Sequence, residues 1–126
     1  IQLGSHIAME LLLLKNQVKI YHWQTSLYPE HKALDKLFKS LNELNDKWVE
    51  VFMGKYGPIH LSSDNRSIRL KNYSKGRTIR FLKKWVENIR RQRDDGFGDS
   101  QNSDLSNIFD EIFAVINNTI YLLHLT

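Results

Sequence analysis

Between Pro29 and Met53 apolar residues recur at intervals of three and four without a break: Leu34, Leu37, Phe38, Leu41, Leu44, Trp48, Val51 and Phe52. That period belongs to an α-helix and to no strand. Ser26 and Pro29 supply a start signal, and Gly54, Gly57 and Pro58 a stop, which predicts a helix of about 25 residues, or ~37 Å at the usual rise. An apolar stripe of that length has to be buried against other elements, and the chain offers three more of the same period. Ile7, Leu11, Leu14 and Val18 mark a first helix near residues 5 to 25. Ile79, Leu82, Val86 and Ile89 mark a third. Leu105, Ile108, Ile112, Val115, Ile116, Thr119, Leu122 and Leu123 mark a last one, with Ser103 as its expected cap. Residues 58 to 75 form a connection without clear period, in which a short strand or helix could sit, and Asp94 to Asn102 read as a polar loop. With 126 residues, 41% of them apolar, and only 2 Pro and 6 Gly, the chain is one domain over 1–126, neither disordered nor a turn-rich barrel. The expected fold class is all-α, a four-helix bundle.

The second helix also carries His31, Asp35, Asp46 and Glu50. With His31 at zero, these point to about 0°, 40°, 60° and 100° on the helical wheel, whereas the apolar stripe lies between about 200° and 340°. The four therefore share a face that is not the core face, which disfavours a metal site inside the bundle. Asp35 and Asp46 are eleven residues apart, ~16 Å along the axis, so His31/Asp35 and Asp46/Glu50 cannot hold one ion together and are two half-sites. A second copy lying antiparallel across a two-fold axis would join the halves twice. His22, near the end of the first helix, could complete the histidine side. Such mixed imidazole and carboxylate donors suit iron, manganese or zinc and are too nitrogen-rich for calcium or magnesium. With zero Cys, any metal has to use His and carboxylate, and disulfides, thiolate sites and cysteine nucleophiles are excluded. Acids on an exposed helix face are ordinarily just solvated, so spacing alone leaves that plainer reading open.

Charge is distributed unevenly. Residues 66 to 93 hold 11 of the 18 Lys and Arg against the single acid Glu87, while the rest of the chain has 7 basic and 13 acidic residues. Arg77, Arg80, Lys83, Lys84, Arg90 and Arg91 lie on the third helix with Phe81 and Trp85 among them, a face that could track phosphates. A solvated helix face is the plainer reading of such a run. The longest apolar run, Leu11 to Leu14, is far below the ~18 residues of a bilayer span, and no leader peptide precedes it, so a soluble chain is expected and no membrane partner.

The same residues carry a resemblance. His22-Trp23, His31-x-x-x-Asp35, Asp46-x-x-x-Glu50 eleven residues on, and the glycines that end the helix resemble the Dps-like miniferritins of the ferritin-like superfamily. Gly57-Pro58, Lys71-Asn72-Tyr73 and Asp104-Leu105 through Tyr121-Leu122-Leu123 extend the likeness over nearly the whole chain. The stretch 19 to 25 with Gly54-Lys55-Tyr56-Gly57 also looks like ferritin-like proteins of large DNA viruses. The resemblance implies a ferritin-like bundle assembled as a hollow dodecamer, with ferroxidase centres between two-fold-related copies that oxidise Fe(II) with hydrogen peroxide or oxygen and store the ferric product. It implies His22, His31 and Asp35 from one copy, Asp46 and Glu50 from its partner, and Trp23 in support. It further implies an intracellular or virion-associated setting rather than a secreted one, and any contact with DNA would fall to residues 66 to 93. The alternative from another class is a non-enzymatic bundle with a structural or nucleic-acid-binding role through that basic segment. No Ser-His-Asp arrangement, Walker loop or dinucleotide fingerprint supports a hydrolase, nucleotide or dehydrogenase reading.

Overall fold

Four helices bury their apolar stripes against one another in the computed structural model, which describes residues 2–63 and 67–126; Arg66 of the basic segment lies outside them. Helix α1 spans Gln2–Gln24, α2 Tyr28–Tyr56, α3 Arg77–Phe97 and α4 Ser103–His124, with a 3-10 turn at Ser100–Asn102 and no strand among the described residues. Every stripe read from the sequence faces inward. Leu34, Leu37, Leu41, Trp48 and Phe52 of α2 meet Ile7, Leu11, Leu14 and Val18 of α1, Leu82 and Ile89 of α3, and Leu105, Ile112 and Ile116 of α4 in one core. No helix among the described residues is long and apolar enough to cross a membrane.

Two short turns and one long strap set the topology. Three residues, 25–27, reverse the chain from α1 into α2, and a few residues around the 3-10 turn reverse it from α3 into α4. Among its described residues the strap, 57–76, has no ladder partner and is held by side chains of α1 instead. The His60 amide donates to Ser5 Oγ at 3.0 Å near the start of α1. Buried Gln17 brackets Lys71, donating to its carbonyl at 2.8 Å and accepting from its amide at 2.7 Å. At the far end of α1, Gln24 Oε1 accepts from the Tyr73 amide at 2.6 Å. The strap thus climbs the full length of α1, so α3 starts at the end where α2 starts and the two run parallel. α1 and α4 each pack against both α2 and α3, which occupy opposite corners.

Local ends differ from expectation in four places, each for a visible reason. Helix α2 runs one turn beyond Met53 and stops at Gly57, whose φ of 91° is left-handed and whose amide still reaches the Met53 carbonyl. Helix α3 consumes the first half of the expected 94 to 102 loop, because Phe97 is buried edge-on against Trp48 at 5.5 Å. Ser103 is the first helical residue of α4 and not its cap. Asn102 takes the cap position, accepting from the Tyr56 hydroxyl and donating to Asp99 Oδ1, and the Leu105 amide is satisfied by Asp104 Oδ1 at 2.9 Å. At the other end of the strap, residues 67–76 form neither a strand nor a helix.

The end of the bundle away from the α1–α2 turn is an aromatic cluster. Trp48 is fully buried, with ring centroids of Phe52, Phe97 and Phe109 at 5.5, 5.5 and 5.0 Å. Phe52 in turn fills the space at Gly4, where a β-carbon would come within 2.0 Å of its ring. Trp48→Ala removes the ring on which three helices converge and is expected to lower unfolding free energy by about 3–5 kcal/mol in urea melts, with the helical circular-dichroism signal retained before the transition.

Candidate metal centre

The turn at 25–27 brings the C-terminal end of α1 against the first turns of α2, and with it His22 against His31. The two imidazoles stack with centroids 3.9 Å apart and planes 19° apart. Each ring is tied to the other residue's main chain: His22 Nδ1 lies 2.8 Å from the His31 carbonyl oxygen, and His31 Nδ1 lies 2.8 Å from the His22 carbonyl oxygen. A carbonyl oxygen can only accept, so both Nδ1 atoms carry the proton and donate. In the neutral ring this leaves both Nε2 lone pairs free, the form in which histidine binds metal. The bond also answers a local need. The His22 carbonyl belongs to the last turn of α1, where it has no intrahelical donor, and the His31 ring supplies one.

Asp35 lies one turn further along α2, half-buried. Its Oδ1 is 3.9 Å from His22 Nε2, and its Oδ2 takes Lys39 Nζ at 3.1 Å. Two donors bound at ~2.1 Å to one ion stand about 3–3.4 Å apart, so His22 Nε2 and Asp35 Oδ1 at 3.9 Å are open by about 0.5–0.9 Å, within reach of a side-chain adjustment. The Lys39 ammonium hydrogen-bonded to Asp35 holds its carboxyl below the usual carboxylate range; partial burial opposes this, and the charges of Lys39 and Lys19, with that of His22 whenever its ring is protonated, add to it.

His22 is therefore brought beside both His31 and Asp35. Asp46 and Glu50 are not: they lie further along the same outer face of α2, exposed. Among the described residues of one chain, no group of three or more His, Asp and Glu is arranged to hold an ion. Trp23 follows buried His22 in sequence but points to solvent at 65% exposure, with only Lys19 Nζ near its ring. Of the acids in the α3–α4 region, Asp104 pairs with Lys55, Asp94 with Arg93, and Asp99 accepts from Asn102. Those three carboxylates serve local contacts. Two neighbours of the site escaped the sequence reading. Tyr28 stacks on His31 at 6.3 Å, which its i−3 position could have signalled, and Lys39 is the i+4 partner of Asp35.

The basic residues form a second locus. Arg77, Arg80, Lys83, Lys84 and Arg91 line one groove together with Lys71 of the strap. Arg90 sits beside it, its guanidinium 4.9 Å from the centroid of the Phe113 ring. Trp85, expected among the basic residues as an accessible aromatic, is buried with its indole N–H donated to the Glu10 carbonyl at 3.2 Å.

Lys39→Met is expected to raise the Asp35 pKa toward the usual carboxylate value, read from the side-chain carboxyl carbon in an NMR titration. Because the folded value in the parent chain is lowered, the pair's contribution to stability is present above the unfolded pKa and is lost as pH falls through the folded one. Parent and variant should therefore converge in stability in strong acid and separate as pH rises past the carboxylate range.

No curated protein and no solved structure matches the chain. The sequence model of a family of unknown function, DUF5856, matches residues 22–123, beginning at the first candidate ligand and ending in the last turn of α4. The chain belongs to the DUF5856 family.

Proposed function

We propose that this protein binds Fe(II) at sites completed by a second copy of itself, oxidises it, and so stores or detoxifies iron in the manner of a miniferritin. The observation that carries the reading is the reciprocal tie between His22 and His31, which fixes both rings with Nε2 free and sets one of them beside Asp35. Asp46 and Glu50 supply the complementary half on the same outer face of α2. The single long strap between α2 and α3 is also the connectivity of ferritin-like bundles. Leu27 and Tyr28, exposed at 42% and 69% beside the half-site, give a second copy apolar surface to cover.

Iron is the substrate here. Carboxylates favour Fe(III) over Fe(II) and so make the bound ion easier to oxidise, while the imidazoles supply the nitrogen donors that select a transition metal. Two Fe(II) ions give up two electrons to one hydrogen peroxide, whose O–O bond breaks and takes two protons to form two waters, without release of a hydroxyl radical. The same donors would also accept manganese or zinc. Tyr28 covers one side of the His31 ring, and Lys39 occupies Asp35 Oδ2 so that Oδ1 is the oxygen left for the ion.

The test is an anaerobic Fe(II) titration followed by peroxide or oxygen, read by absorbance with assembly mass recorded alongside. His31→Ala and Asp46→Ala should each abolish stoichiometric binding and fast oxidation while leaving the helical signal intact. Mixing the two variants after reversible dissociation separates an interface site from one within a single chain. A heterodimer keeps one site with both native halves, so random reassembly should restore about a quarter of the parent sites. Unchanged binding in either variant, or no recovery on mixing, would overturn the reading.

A further inference from the structure

The groove between the strap, α1 and α3 has a volume of about 960 Å³ and concentrates charge that the rest of the fold does not neutralise. Six cations line it, Lys71, Arg77, Arg80, Lys83, Lys84 and Arg91, against the lone acid Glu87. Among the described residues, none of Lys71, Arg80, Lys83, Lys84 or Arg91 forms an ion pair with a carboxylate. Arg80 and Lys84 stand four residues apart on one helix face, a like-charge spacing that opposes helix formation unless an anion lies between them. The strap side of the groove is fixed, because Gln17 holds both the amide and the carbonyl of Lys71.

The shape and floor of the groove narrow the class of anion. From Arg77 to Arg91 the cations follow α3 for about 21 Å, far longer than one phosphate needs. Of the rings beneath them, Tyr21 is 1% exposed and Trp85 4% exposed, and the half-buried Phe81 packs edge-to-face with Tyr21 at 5.9 Å. Grooves that hold single-stranded nucleic acid combine backbone cations with exposed rings on which successive bases stack, and of the three rings lining this groove two are buried and one is half-buried. What remains is dense, aligned positive charge with guanidinium forks suited to phosphoryl oxygens.

We infer that this groove binds a run of closely spaced phosphoryl groups joined directly through bridging oxygens, as in linear inorganic polyphosphate or the tail of a nucleoside triphosphate. The site is separate from the histidine pair and does not depend on the iron reading.

The test is isothermal titration calorimetry of the parent chain with linear polyphosphate, ATP, inorganic phosphate, and single- and double-stranded oligonucleotides, matched in phosphate concentration. Polyphosphate should bind at about 50 mM salt and weaken steeply by about 200 mM, with ATP binding more weakly and inorganic phosphate weakest. Lys84→Glu should reduce polyphosphate affinity at least about tenfold at low salt, whereas Lys36→Glu, the same charge change on the exposed side of α2, should stay within about twofold. Both positions are exposed, and thermal melts of each variant are to check that it is folded. Absence of polyphosphate binding at low salt, equal losses in the two variants, or tighter binding of either oligonucleotide would overturn the proposal.

Discussion

Burial of one face of α2 is the constraint on which the rest of the molecule depends. This helix packs against both α1 and α4 more extensively than α3 does, and its outer face carries little of that packing. Residues on that outer face, His31, Asp35, Asp46 and Glu50, can be chosen for chemistry because Leu34, Leu37, Leu41, Trp48 and Phe52 already hold the helix in place from behind. Core and site are coupled through geometry: the core fixes the axis, and 100° per residue then fixes where each donor stands.

The fold was largely legible because helical burial is periodic. Four stripes at three and four residues state both the elements and the faces they bury, and each of those faces is buried in the structure. The strap was not legible, since it is held by Gln17 and Gln24 reaching across from another helix. A glutamine among apolar neighbours announces a buried amide without saying which backbone will satisfy it. The helix ends escaped for a related reason: Phe97 extends α3 because a cavity beside Trp48 receives it, a fact that belongs to tertiary packing and not to the local sequence.

The candidate site divides along the same line. That His31 and Asp35 share a face follows from their spacing, and their separation from Asp46 and Glu50 follows from the rise of the helix. The placement of His22 depended on the path of three turn residues, and the orientation of both rings on main-chain carbonyls that a sequence does not display. Tyr28 and Lys39 stood at helical neighbour distances and could have been found by asking what lies three or four residues from each donor. The basic run was visible as charge, but only packing shows that Trp85 faces inward while Lys71 and five cations of α3 line a single groove.

The tie between the two histidines has one more implication. Since each ring is oriented by the other residue's backbone, the pair needs no supporting side chain to hold its geometry. The surface around it is free to change in sequence while the rings stay put, whereas a residue added or removed between the end of α1 and His31 would change the turn that brings the two rings face to face. The nine-residue interval from His22 to His31 therefore acts as a ruler, and a helical hairpin carrying that interval and nothing else of this chain would present the same two nitrogens.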